Sequence, residues 1–335
     1  DGSDDVGDNL TVRDDGGSNT WTVTTGPDED RIQVTGRESI DYRDFVNVNL
    51  NNSGGPDLFR ILPTGLRGYS GTLTVTGAAV SPLTDVLEII GSSGNDAVSS
   101  TTSVVTMNGK KVGAGSNLVE LRVFGLAGND LIDLDLNLPG THKVIDAGDG
   151  NDFVNVSGTI DATILGGAGD DYLIGSPLAD FIDGGSGNDA LLGDAGDDTL
   201  YGGDGNDLLV GGTGNDLMFG GNGSDRFVWN PGDNSDVVEG DEGDDSLQFV
   251  GGTVADTFVL QSNGARLRLE RSPGNVVIDA GQIEQVDTNT AVTLGTNSTT
   301  ATTLSGTNEV PPTASTATGT VELVYDSITN RFSIN

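Results

Sequence analysis

Between Gly166 and Val228 the chain repeats itself every nine residues, seven times without a break: GGAGDDYLI, GSPLADFID, GGSGNDALL, GDAGDDTLY, GGDGNDLLV, GGTGNDLMF and GGNGSDRFV. Asp holds the sixth position of every nonapeptide, at Asp171, Asp180, Asp189, Asp198, Asp207, Asp216 and Asp225. A large apolar residue holds the eighth, at Leu173, Ile182, Leu191, Leu200, Leu209, Met218 and Phe227. Gly crowds the first four positions, where its freedom at positive φ permits a tight reversal of the chain. Positions seven to nine are too short for a helix, but they suit a brief strand whose middle side chain points to one face. Each nonapeptide therefore reads as one turn and one strand, and two make a flattened coil of 18 residues.

Coils stack at about 4.8 Å, the spacing of neighbouring strands. Stacking places Asp171, Asp189, Asp207 and Asp225 along one edge and Asp180, Asp198 and Asp216 along the other. Carboxylates so close repel one another, and the segment offers no amine to neutralise them. Calcium answers the repulsion because it takes six to eight oxygens, carboxylate and carbonyl alike, in tolerant geometry. Magnesium demands stricter octahedral geometry and fits less well. The expected ligands are these seven carboxylates with turn carbonyls such as those of Gly166, Gly184, Gly202, Gly211 and Gly220. Five stacked pairs predict five core sites. Flanking near-repeats bring Asp152, Asp236 and Asp245, which raise the expectation to as many as eight. Asp245 falls at the end of the series, so Asp245→Ala is expected to do less damage than Asp198→Ala. GSPLADFID lacks two of the turn glycines, so its sites should be weaker. A site that exists only in the folded chain couples metal binding to folding, so metal removal should unfold residues 147–249.

The nonapeptide pattern resembles that of the repeats-in-toxin (RTX) proteins, whose repeats bind Ca2+ in a parallel β-roll. The resemblance implies an all-β, right-handed parallel β-solenoid with calcium in its turns. It also implies an extracellular or cell-surface setting, typically bacterial.

Composition agrees with a cation-dependent fold. The chain carries 51 acidic and 15 basic residues, a net charge of −36. From Asp146 to Val250 there are 21 Asp and two Glu against the single basic residue Arg226. Nucleic acid needs a basic footprint and is not an expected partner. No apolar run approaches the ~18 residues of a membrane span, so membrane insertion is not expected either. With no cysteine, neither disulfides nor thiolate metal sites are available. Asp1 stands where a start Met would, which suggests a processed product or a fragment.

Upstream, GSSGNDAVS (Asp96), GLAGNDLID (Asp130) and AGDGNDFVN (Asp152) are irregular relatives of the nonapeptide. PDEDRIQ (Asp30) and GGPDLFRI (Asp57) are fainter ones. Residues 1–146 thus read as solenoid coils with insertions and irregular or absent calcium sites. One insertion, VVTMNGKKVGAG, places Asn108-Gly109 between two strands, a hairpin signal. Residues 147–249 form the regular roll and 250–286 a β-meander cap, as solenoids need a terminal block to stacking. A Thr/Asn-rich linker follows at 287–302. Residues 303–335 resemble the opening of a chordin-type (CHRD) domain through Leu304-Ser305-Gly306, Asn308-Glu309-Val310-Pro311-Pro312, Thr318-Gly319-Thr320 and Asn330-Arg331. That resemblance implies an extracellular context and, in so short a piece, a hairpin with open edges.

Nothing reads as catalytic. His142 is the only histidine, so two-histidine zinc motifs are absent, and no nucleophile elbow accompanies it. Paired carboxylates could serve a glycosidase, but stacked aspartates suit calcium better. Trp21 and Trp229 read as core or cap residues rather than sugar platforms. The expected function is a non-catalytic, calcium-stabilised structural component of a surface, matrix or filament, able to self-associate through its terminal strands. The alternatives are an accessory region of a larger secreted RTX enzyme, or an adhesin stalk.

Overall fold

A computed structural model describes residues 142–250 without interruption and 85–137 except 102, 115 and 136. Upstream it describes 9–13, 17–25, 30–35, 40–42, 47–51, 54–62 and 72–77. Downstream it describes 257–263, 266–272, 276–288 and strands of two to four residues as far as Ile334. The described residues are all-β, and their dominant pairing is parallel. The chain divides into an N-terminal unit, 1–168 with 175–177, and a C-terminal unit, 169–174 with 178–335.

In the C-terminal unit the expected register is present. Phe181–Ser186 pairs in parallel with Thr199–Asp204, Phe181 facing Thr199 and Ile182 facing Leu200, a step of 18 residues. Thr199–Asp204 pairs in the same way with Leu217–Asn222. On the opposite sheet Tyr172–Ile174, Ala190–Ala195 and Leu208–Thr213 follow the same step. After Leu217 and Arg226 the step lengthens to 20, with Leu217 facing Val237 and Arg226 facing Ser246. The two extra residues are accommodated around Pro231–Asp233, outside the strands.

The eighth position forms the core: Leu173, Ile182, Leu191, Leu200, Leu209 and Phe227 are fully buried and Met218 nearly so. The seventh position faces outward, leaving Leu217 41% exposed. Outward aromatic residues stack on their own face, Tyr201 against Phe219 at 4.7 Å between ring centroids. Trp229 and Phe249 lie in the core, 5.7 Å apart.

Parallel pairing does not stop at Val250. Val276–Gly281 pairs with Val237–Glu242, and Gln285–Thr288 with Ser246–Phe249, so one more coil follows. The meander expected over 250–286 is also present, because Thr257–Asn263, Arg266–Ser272 and Val276–Gly281 pair antiparallel in turn. Val276–Gly281 belongs to both arrangements, using one edge for the coil and the other for the meander. Residues 264–265 and 273–275, between these strands, lie outside the described residues.

Most of the CHRD-like motif residues also lie outside the described residues. Leu323–Asp326 and Arg331–Ile334 do form the expected hairpin. It is not isolated: Arg331–Ile334 pairs antiparallel with Gln285–Thr288, which closes one of the two edges expected to be open.

The N-terminal unit follows the same two-sheet plan with less regular steps. Leu118–Ala127 lies between Asp85–Ile90 and His142–Asp149, which pairs on with Ala162–Ala168. The facing sheet runs through Ala97–Thr101, Leu131–Asp135 and Phe153–Ser157. The insertion forms the expected hairpin, Val104–Met107 with Lys110–Ala114, and Asn108 and Gly109 both take positive φ in its turn. Trp21 is buried and stacks on Phe59 at 5.4 Å.

Because each strand contributes so few inward side chains, truncating one should be costly. Leu200→Ala should lose about 2–5 kcal/mol, whereas Leu217→Ala on the outer face should change stability by no more than about 0.5 kcal/mol. Denaturant melts in calcium compare them, and equal losses would contradict the assignment of faces.

Candidate metal centre

The turns that join these strands hold the aspartates in a fixed relation. The backbone N–H of Asp171 donates to Oδ1 of Asp189 at 2.8 Å, and Asp189 donates in turn to Asp207 at 2.8 Å. Asp207 donates to Asp225 at 2.9 Å. On the other edge Asp180 donates to Asp198 at 2.8 Å and Asp198 to Asp216 at 2.9 Å. All five pairs expected from the 18-residue step are therefore formed. The longer coils keep the pattern, Asp216 donating to Asp236 at 3.0 Å and Asp225 to Asp245 at 2.8 Å. In each link one carboxylate oxygen is held by the amide of the preceding coil.

The other oxygen is left over. Oδ2 of Asp189, Asp198, Asp207, Asp216, Asp225 and Asp245 is buried and accepts no hydrogen bond. Such an atom is costly in an apolar surrounding unless something positive meets it. The glycine at the first turn position shows where. A Cβ placed on Gly184 would lie 2.5 Å from Asp189 Oδ2 and 2.6 Å from the carbonyl oxygen of Gly202. Gly193 meets Asp198 Oδ2 and the Gly211 carbonyl in the same way, and Gly202 meets Asp207 Oδ2 and the Gly220 carbonyl. Gly is required there because a side chain would fill the space between a carboxylate and a peptide oxygen of the next coil.

The donors gathered at each turn are hard oxygens of two kinds. Among the described residues no three His, Cys, Asp or Glu side chains converge on one point, so carboxylates alone do not make a site. One carboxylate per turn with peptide carbonyls is the mixture that suits calcium. The residues fit the ion: Asp189, Asp198 and Asp207 would hold it with the carbonyls of Gly202, Gly211 and Gly220. Calcium supplies there the positive charge that the acidic turns lack. Of the other expected ligands, Gly166 is buried in the strand Ala162–Ala168 of the N-terminal unit. Asp152 lies in that unit too, its Oδ1 accepting the Asp130 amide at 2.7 Å.

Several participants have no counterpart in the sequence expectation. Asp225 faces the carbonyl of Gly240, and Asp245 faces that of Gln282. Glu284 continues the stack, its Oε2 accepting the Asp245 amide at 2.8 Å. Asp245 is therefore followed by one more rung, so it does not end the series, which was the ground for expecting its loss to do less damage than that of Asp198. A glutamate in GQIEQV carries none of the glycine punctuation by which the repeats are recognised, and only its position in the added coil reveals it. A second ladder runs outside the first at the fifth position. There Asn188 donates to Asp170 at 2.8 Å and Asn206 to Asn188 at 3.0 Å. Its signal was present in the sequence, since five of the seven nonapeptides have Asn or Asp there. Asp204, Asn222, Asp241, Glu242 and Glu284 line an acidic groove over one row of turns.

Without a cation, burial makes these carboxyls reluctant to ionise. Burial, reinforced by neighbouring carboxylates, pushes Asp198 and Asp236 from 3.8 up to about 8. Asp207 and Asp245 rise to about 7, and Asp189 and Asp216 to about 6, burial again being the largest cause. A folded-state pKa above the unfolded value means that the metal-free fold binds more protons than the unfolded chain. The associated stability is full below the unfolded value and is lost as pH rises through the folded ones. In chelator, lowering the pH from about 8 to about 5 should therefore raise the melting temperature. In saturating calcium the trend should reverse, because protons compete with the ion for the same oxygens. A chelated chain that melted lower in acid would contradict this assignment.

His142 begins the strand His142–Asp149 and lies 2.6 Å from Asp161 through Nδ1, on the surface. The family pattern of the RTX calcium-binding nonapeptide repeat matches the chain in four copies, over residues 156–191, 165–200, 192–227 and 231–248. No curated protein matches the chain. The sequence pattern, the parallel roll and the oxygen-lined turns agree, and this part of the chain is a run of RTX calcium-binding nonapeptide repeats.

Proposed function

We propose that this chain is a non-catalytic, extracellular structural segment, a surface, matrix or filament component whose roll is held together by calcium. The observation that carries the reading is the burial of the acidic side chains. Asp189, Asp198, Asp207, Asp216 and Asp225 are each at most 2% exposed. A carboxylate so enclosed cannot reach a substrate, but it can hold an ion inside the wall of the roll. The stacked pairs Asp171–Asp189, Asp180–Asp198, Asp189–Asp207, Asp198–Asp216 and Asp207–Asp225 give five core sites, with Asp236, Asp245 and Glu284 extending the series. Millimolar calcium outside cells suits ligands of this class.

Self-association through strand edges belongs to the same reading. Among the described residues Leu323–Asp326 ends its sheet, with Arg331–Ile334 as its one neighbour. In the N-terminal unit Asn9–Arg13 likewise has only Asn47–Asn51 beside it. An open edge is a template for another strand, and each of these two offers a contact to another copy.

Proline at the alternate residues of Leu323–Asp326 whose N–H groups face away from Arg331–Ile334 removes the edge donors and leaves the hairpin pairing intact. Sedimentation and negative-stain microscopy of the full chain in calcium should then show assemblies for the natural sequence and monomers for the variant. Unchanged assemblies in the variant, or monomers in both, would refute association through this edge.

A further inference from the structure

The aspartate ladder does not begin with the nonapeptides. In the N-terminal unit the Asp96 amide donates to Asp130 Oδ1 at 2.7 Å, and the Asp57 amide to Asp85 Oδ1 at 2.8 Å. With the Asp130–Asp152 link, the same bond recurs where neighbouring coils are 22, 28 and 34 residues apart. None of Asp57, Asp85, Asp96 or Asp130 falls within the residues matched by the repeat pattern.

These rungs differ in what meets the second carboxylate oxygen. Asp130 is 3% exposed, and its Oδ2 is buried without a hydrogen bond, as in the repeats. A Cβ on Gly125, five residues before it, would meet both Asp130 Oδ2 and the Ala147 carbonyl oxygen of the next coil. Gly184 has the same relation to Asp189 and Gly202. The turn backbone agrees as well. Leu126 takes φ +81°, beside +102° at the equivalent Gly185, although a leucine rarely adopts that conformation.

At Asp96 the turn carbonyl is also present, since a Cβ on Gly91 would meet Asp96 Oδ2 and the Gly125 carbonyl. Here, however, the chain supplies its own donors. Ser92 donates its backbone N–H to Oδ2 at 2.7 Å, and the Asn108 amide from the inserted hairpin donates to Oδ1. At Asp57 the Trp21 indole donates to Oδ2 at 2.9 Å and the Asn19 amide to Oδ1 at 2.8 Å.

We propose that Asp130 Oδ2 and the Ala147 carbonyl oxygen form a further calcium site in the N-terminal unit, and that Asp96, the neighbouring rung on the same edge, and Asp57, on the other edge, are metal-free, the N–H groups of Ser92 and Trp21 that reach their Oδ2 atoms standing in for the cation. The substitution is chemically sensible, because an N–H directed at a buried carboxylate satisfies the oxygen that calcium would otherwise coordinate. The inserted hairpin delivers the Asn108 side-chain amide to Asp96 Oδ1, the oxygen that elsewhere in the ladder accepts the backbone amide of the preceding coil.

The inference rests on the calcium reading of the repeats, and the test separates the two. A crystal structure of the full chain grown with calcium chloride should show an ion about 2.3–2.6 Å from Asp130 Oδ2, and none beside Asp96 or Asp57. Native mass spectrometry of calcium-loaded chains should count about one ion fewer in Asp130→Asn than in the natural sequence, and no fewer in Asp96→Asn. Ions along 189–225 with none at Asp130, or an unchanged count in Asp130→Asn, would overturn the inference and leave the repeats intact. A ladder without ions throughout would overturn the calcium reading itself and this one with it.

Discussion

One oxygen of each stacked aspartate decides how this protein is held together. Oδ1 accepts the amide of the coil before it, which fixes the step from coil to coil. Oδ2 is left buried and bare at Asp189, Asp198, Asp207, Asp216 and Asp225. A buried charge without a partner costs several kcal/mol even after local relaxation, and the repeats present a row of them. A core built from one large side chain per short strand has little surplus with which to offset that cost. The fold therefore needs either a cation or protons at these oxygens, and near neutral pH calcium is the cation that this mixture of carboxylate and carbonyl oxygens suits.

The glycines and the apolar eighth position follow from the same constraint. Where the carboxylate and the next coil's carbonyl converge, a side chain on Gly184 or Gly202 would occupy the ion's space. The strand that follows each turn must then bury its middle residue, Leu191 or Leu209, to anchor the turn against the core. Turn and strand depend on each other, which is why the pattern tolerates so little drift between Gly166 and Val228.

Where the period is strict, the sequence was a sufficient guide. Asp171 to Asp225 and the buried row from Leu173 to Phe227 occupy the places that an 18-residue coil requires. Legibility failed where a partner comes from outside the repeat. Glu284 reaches the ladder from a turn without the glycine signature. Asn108 arrives from a hairpin 12 residues along the chain, and Trp21 from a strand 36 residues before Asp57. Spacing cannot announce such partners, because only three-dimensional pairing brings them to the ladder. The strand Val276–Gly281 was hidden for a related reason: its antiparallel meander gives it the pattern of a cap while its other edge extends the roll.

Circular dichroism of the full chain near pH 8, recorded with calcium, with chelator, and again after calcium is restored, tests the cation requirement most directly. The β signal should fall on chelation and return at millimolar calcium. A spectrum indifferent to chelator, from a chain in which elemental analysis finds no retained ion, would contradict the account.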